Sequence, residues 1–200
     1  MKHCNNNQIV LTTPVFYHPD FEDAHRFIID SYTIPDREIC IFLPCAMKKP
    51  FSQSPSHRIF DREIFLKLRS EQIHIVVFGT CGVIPRELEL MYPFVNYRFM
   101  LGKVKDPRIK RDFIEIETER VAKYLIKTKD NYTHRIAFCL GDFRIAMERA
   151  VEKTGVKVKI LPSDNLIKAN LQKDLNFSQG SLHMDVYLSE LREYLSKFKK

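Results

Sequence analysis

The sequence predicts an α/β fold: a three-layer sandwich with a mostly parallel central sheet and helices on both faces. Three observations carry that prediction. Short apolar runs rich in β-branched and aromatic residues recur along the chain, "EICIFL" and "IHIVVFG" being the clearest. Longer amphipathic stretches separate them, and that alternation is the mark of βαβ units. The chain has 200 residues, 44% of them hydrophobic, which suffices for one core with both sheet faces covered.

Each element has its own local reason. His18 to Tyr32, "HPDFEDAHRFIIDSY", has helical spacing, with Phe21, Ala24, Phe27, Ile28 and Tyr32 on one side. Pro19 suits a first turn, and the acids there favour the helix dipole. "REICIFLP" (Arg37 to Pro44) reads as a buried strand, and a polar loop follows it. "RIFDREIFLKLRSE" is an amphipathic helix and "IHIVVFGT" a second strand. "IPRELELMYP" is read as a short helix ending before Pro93, and "VNYRFMLGK" as a third strand. Lys110 to Lys129 is a long helix, with Phe113, Ile116, Val121, Tyr124 and Leu125 on a stripe. "HRIAFCLG" is a fourth strand, followed by a helix from Asp142 that Gly155 closes as a C-cap. "VKVKILP" is a fifth strand, and the tail from Met184 to Lys200 is a last amphipathic helix. These elements divide into an N-terminal extension (1–17), an α/β catalytic-type domain (18–165) and a C-terminal helical extension (166–200).

Composition narrows the function classes. The formal net charge is +7, which tilts toward a polyanionic partner such as RNA or DNA; the plain alternative is a solvated basic surface. The five cysteines, Cys4, Cys40, Cys45, Cys81 and Cys139, form no CxxC pair, so a zinc site or a disulfide framework is not expected. No apolar run approaches the roughly 20 residues of a membrane helix. "MKHCNNNQIV" lacks the apolar core of a signal peptide, so the chain reads as cytoplasmic with no membrane partner. There is no glycine-rich phosphate loop, no HExxH and no acidic cluster with ligand spacing, so neither a metal nor a cofactor is expected.

In an open α/β sheet, ligands bind outside the carboxyl ends of the strands. Those ends are predicted at Pro44-Cys45, Gly79-Thr80-Cys81, Leu101-Gly102, Leu140-Gly141-Asp142 and Pro162-Ser163-Asp164. The loop "LPCAMKKPFSQSPSH" therefore lies at the functional edge. Cys45 is a candidate nucleophile if a nearby cation lowers its pKa, and Lys48, Lys49 and His57 are near in sequence. His57 is a candidate general acid or base. Ser52, Ser54 and Ser56 are possible hydrogen-bond donors to a ligand; alternatively Ser54 or Ser56 caps the next helix, with Cys45 half-buried. At the second strand's end, Thr80 and the glycines Gly79 and Gly82 permit close ligand approach. Arg86 suits a phosphate or carboxylate, and Glu87 and Glu89 suit a base edge or an amine, against the alternative of favourable helix-start charge. Asp142 is either a third acid at that edge or, preferably, the N-cap of its helix.

The loop as a whole resembles a family signature. "PCAMKKPFSQSPSH" resembles the PC-x3-KPY-x2-S-x2-H motif of archaeosine synthase, a relative of archaeal tRNA-guanine transglycosylases, in the domain known as DUF5591. "GVIPRELELMYPFVNY" and "HPDFEDAHRFI" are similar to other blocks of that domain. Matched by motif position are Cys45, Lys49, Pro50, Ser54 and His57; Phe51 replaces the usual Tyr, and Ala46 stands where many relatives carry Ser. The resemblance implies a uracil-DNA glycosylase-like α/β fold and action on tRNA carrying 7-cyano-7-deazaguanine. It implies attachment of lysine, as co-substrate, to the nitrile, after which a radical-SAM partner leaves the amidine. It also implies partner chains supplying transglycosylase-like and PUA RNA-binding parts. Two other readings stay open at this point: a non-catalytic RNA-binding or assembly subunit, and a glycosylase-like enzyme acting on nucleobases.

Overall fold

The computed structural model describes residues 13–170 and 181–198. Cys4, most of the predicted N-terminal extension and the final two lysines of the predicted last helix lie outside the described residues. The elements are α1 (Pro19–Asp30), β1 (Arg37–Pro44), α2 (Pro55–Phe65), β2 (Ile73–Gly79), β3 (Gly82–Pro85), α3 (Pro107–Lys127), β4 (Tyr132–Phe138), α4 (Gly141–Thr154), β5 (Lys159–Leu161), α5 (Asp164–Asn170) and α6 (Asp185–Leu195).

The sheet order is β3-β2-β1-β4-β5, and every neighbouring pair is parallel except β2 with β3. β1 is central, and alternation along it feeds two cores. Cys40 and Phe42 face a layer built on α1, α3 and α4, with Phe21, Ile28, Phe113, Val121 and Met147. Ile39, Ile41 and Leu43 face the opposite layer of α2, α5 and α6, with Phe60, Ile64, Ile167, Tyr187 and Leu191. The result is an α/β protein with helices on both faces of a mixed, mostly parallel sheet. No helix among the described residues is long and apolar enough to cross a membrane.

Two predicted elements are corrected. The stretch from Ile84 to Pro93 is not a helix: its start belongs to β3, and only Arg86–Leu88 forms a single 3-10 turn. Gly79 and Gly82, both at positive φ (144° and 87°), fold the chain back through the two-residue turn Thr80-Cys81, so β3 runs antiparallel to β2. Val95 to Lys103 is not a strand. Tyr97, Phe99 and Leu101 keep the alternating burial that suggested one, but β3 already occupies the ladder edge of β2. Pro55 begins α2 three residues earlier than predicted, with Ser54 as its N-cap. Gly155 caps α4 at φ 68°, as its position predicts.

Candidate functional site

Parallel pairing carries Cys45 one step beyond β1: its N–H donates to the Phe78 carbonyl at 2.8 Å. That bond sets Cys45 against the β2–β3 turn, with Sγ 3.5 Å from the Thr80 hydroxyl. The approach is so close that a Cβ on Gly79 would stand 2.7 Å from Sγ and 2.4 Å from Cε1 of Phe143. Only glycine fits there. Cys45 is partly exposed, whereas Cys40, Cys81 and Cys139 are buried.

The surroundings favour the thiolate. The neighbouring Cys81 thiol is the largest influence lowering the Cys45 pKa, and it outweighs the burial that would raise it. The Lys49 ammonium, the Thr80 hydroxyl and the Thr80 N–H act in the same direction, and together they hold the Cys45 thiol down to about 5. Burial, and then the adjoining Cys45 and its charge, push Cys81 the other way, well up, so it stays protonated. Cys40 and Cys139 are raised by burial. One thiol of the four described is activated.

Lys49 folds back over its own loop. Its Nζ donates to the carbonyls of Ala46 (2.7 Å) and Met47 (3.2 Å) and sits 3.4 Å above the Tyr97 ring centroid. Burial lowers its pKa, and the Cys45 thiolate opposes that. Phe51, the residue that departs from the family pattern, is fully buried, with its ring centroid 5.4 Å from the Lys49 ammonium. Beside Lys49 opens a cavity of about 460 Å³ lined by Met47, Lys48, Lys49, Val95, Tyr97 and Arg98. Beneath the thiol, Glu117 of α3 accepts from the Gly79 N–H at 2.8 Å, while its other oxygen is buried without a partner. Burial, against the nearby Arg120 cation, lifts its carboxyl to about 8.

The structure separates the other predicted residues from the thiol. His57 is not placed as an acid or base on Cys45, because both ring nitrogens are engaged elsewhere. Nε2 meets the Pro44 carbonyl at 2.9 Å and must carry the proton; Nδ1 accepts from Arg86 at 2.7 Å. Burial and the Arg86 cation hold the ring neutral, down to about 3. Arg86 is committed to Asp61 through two bonds, at 2.9 and 3.0 Å. Ser54 is buried and caps the His57 N–H, and Ser56 bonds Ser54 at 3.2 Å, so neither hydroxyl is free for a ligand as predicted. Ser52 is clamped by the Glu89 carboxylate through its N–H and its hydroxyl.

Because β3 runs backward, Glu87 lies beside the first residues of β2, away from the carboxyl edge. It accepts from Tyr32 (2.7 Å) and meets His74 (3.0 Å). Burial would raise its carboxyl, but the His74 and Tyr32 bonds hold it at about 2. Gly82 lies against the Arg120 side chain rather than open space. Asp142 sits in the first turn of α4, but Leu140 occupies the N-cap position, so the preferred N-cap reading is corrected. Cys45, Lys49 and Thr80 thus come together, while His57 and Ser54 brace them from behind.

Sequence reasoning missed Cys81, Tyr97 and Glu117 as parts of the site. Glu117 had a legible signal: it falls four residues after Phe113 and four before Val121, an acid on the buried stripe of a helix.

Comparison with known proteins gives a consistent picture. The family model described as "Domain of unknown function (DUF5591)" matches residues 23–176. The archaeosine synthase subunit alpha of Methanosarcina acetivorans is 32% identical over 143 residues, which is 70% of this chain and 21% of that protein. The subunit alpha of Thermoplasma acidophilum is 38% identical over 77 residues, 38% of this chain and 15% of that protein. The archaeosine synthase of Haloferax volcanii is 30% identical over 128 residues, 62% of this chain and 20% of that protein. The chain therefore spans 15–21% of the length of these relatives. Among solved structures, the crystal structure of AF0587, a protein of unknown function, aligns with a TM-score of 0.54 at 16% identity. It covers 88% of this chain and 48% of that one, a likeness of fold.

Proposed function

The chain belongs to the DUF5591 family, and from that premise we propose that it is a catalytic module of archaeosine formation in tRNA, attaching lysine to the nitrile of 7-cyano-7-deazaguanine. The observation that carries this reading is the Cys45 thiol, held at about 5 at the carboxyl edge of the sheet. A nitrile carbon is a soft electrophile suited to a thiolate.

The chemistry balances without a redox partner. The Cys45 thiolate adds to the nitrile carbon, one C–N π bond opens, and the nitrogen takes a proton, giving a thioimidate. A lysine amine then adds to the same carbon, the carbon–sulfur bond breaks, and the amine loses its extra proton. The product is a substituted amidine, and the thiolate is returned. Lys49 offsets charge at sulfur, while Cys81 and Thr80 donate to it and make it a competent leaving group. His57 acts here as a positioning residue, fixing the Pro44 carbonyl one residue before the nucleophile. Asp142, at the same edge, is assigned to contact with the nucleotide. Glu87 and Arg86 are assigned no contact with it.

The partners in this reading are tRNA and lysine, with other chains providing transglycosylase-like and PUA parts and a radical enzyme completing the amidine. A uracil-DNA glycosylase-like layout, with a nucleobase presented at the strand ends, belongs to the same proposal. The test is single-turnover reaction with tRNA bearing the nitrile. Without lysine, a covalent nucleotide adduct is expected on the Cys45 peptide by mass spectrometry, and lysine discharges it. Full lysine transfer by Cys45→Ala would sink the covalent route.

A further inference from the structure

The cavity beside Lys49 has a charge pattern that the thiol chemistry does not use. Of its six lining residues, three are cations and none is acidic. Lys49 is turned inward onto its own loop. Lys48 and Arg98, by contrast, are exposed and have no hydrogen bond or ion pair among the described residues. They come from different segments, the signature loop and the stretch after β3, and the fold brings them to one hollow. Tyr97 joins that hollow to the thiol site: its ring lies under the Lys49 ammonium, whose charge also acts on Cys45.

We propose that Lys48 and Arg98 form a phosphodiester subsite that seats the nucleic-acid backbone flanking the base presented to Cys45. The proposal rests on the reading of the chain as a tRNA-modifying module and deepens it. A nucleobase is uncharged, so it gives these two cations nothing to pair with, whereas its flanking phosphates do. The lysine carboxylate is the other anion at hand, but free lysine is a net cation with two ammonium groups. A hollow carrying three positive charges and no acid repels it. Arg98 presents a planar fork that fits two phosphate oxygens, and Lys48 adds a point charge.

The test is tRNA binding across a salt titration, with unmodified tRNA so that no chemistry is involved. For Lys48→Ala/Arg98→Ala, the slope of log affinity against log salt is expected to fall by about 1.4, at about 0.7 per phosphate on unpaired nucleic acid. In turnover, KM for tRNA is expected to rise about tenfold while KM for lysine stays fixed. Iodoacetamide labelling of Cys45 reports that the fold is kept, and the single Arg98→Gln variant, with half the slope change, serves if the double variant is unstable. An unchanged slope overturns the subsite, as does a rise in KM for lysine with none for tRNA. A fallen slope in a chain that transfers no lysine keeps the subsite and rejects only the chemistry.

Discussion

Removing the Cys81 thiol tests directly what lowers the Cys45 pKa. Cys81→Ala deletes the neighbouring thiol that contributes most to holding Cys45 at about 5 instead of the reference 9.0. A hydrogen bond to a charged group is worth about 1.5–3 kcal/mol, and one pKa unit is about 1.4 kcal/mol. The Cys45 midpoint should therefore rise by about one to two units, to roughly 6–7. The assay is the pH dependence of iodoacetamide labelling, read on the Cys45 peptide by mass spectrometry. The midpoint is the right observable and the rate at neutral pH is not. Thiolate nucleophilicity climbs with pKa at a Brønsted slope of about 0.4–0.5, so a less ionised thiol is also intrinsically faster, and the two effects partly cancel. The crossing of the two profiles, with the wild type faster in acid and the variant faster in alkali, is the diagnostic pattern. The buried thiols Cys40 and Cys139, raised by burial, should label only on unfolding. A wild-type midpoint near 8–9, or one that Cys81→Ala leaves unmoved, would refute the reasoning.

His57→Ala should cost about 1–3 kcal/mol in urea unfolding, because it strands the Pro44 carbonyl and an Arg86 N–H. It should leave the Cys45 labelling midpoint in place, which removal of a base paired to the thiol would not. His57 is depressed from 6.5 to about 3 in the folded protein, so the unfolded chain binds its proton first. The wild type therefore loses stability as pH falls from 6.5 towards 3, and the variant should lose less. Glu117→Gln keeps an acceptor for the Gly79 N–H and removes a carboxyl raised from 4.5 to about 8. A raised carboxyl adds stability that is full below 4.5 and disappears as pH climbs through 8, an effect of up to about 5 kcal/mol. Urea midpoints of the variant should be flatter with pH across that window, and an equally steep decline would show that Glu117 is not the group titrating.

Much of the architecture was legible because burial on both faces leaves continuous apolar runs, as in Ile39 to Leu43, and because amphipathic spacing marks the intervening helices. The edge of the sheet was not. From Gly79 to Leu101 the local pattern suggests one helix and one strand, yet the outcome depends on which segment reaches the free edge of β2 first in space. Two glycines at positive φ decide that by reversing the chain at Thr80-Cys81. The same reversal carries Glu87 to the opposite end of β2. A residue two positions past the end of β3 was thus placed wrongly by a rule that assumed parallel strands. The Cys45 loop lies at the carboxyl edge as expected because it follows a central strand whose direction is fixed by two parallel neighbours.

The fourteen residues from Pro44 to His57 divide their labour in a way the motif alone does not express. Cys45 and Lys49 face the thiol's pocket, and Thr80 and Cys81 answer from the β2–β3 turn. Ser54 and His57 face away from it: the serine starts α2, and the first turn of α2 presents an imidazole N–H to the Pro44 carbonyl. Arg86, itself held by Asp61, then orients that imidazole, and burial together with the Arg86 cation keeps it neutral. A nucleophile on a loop is only as well placed as the peptide that precedes it. Here that peptide is anchored on one side by the Phe78 carbonyl, which receives the Cys45 N–H, and on the other by His57. The spacing from Cys45 to His57 is therefore the chain length needed to leave a strand, turn over Lys49 and return one helical turn beneath the strand's last carbonyl. By this geometry a signature that reads as a cysteine–histidine pair is a thiol and its mount.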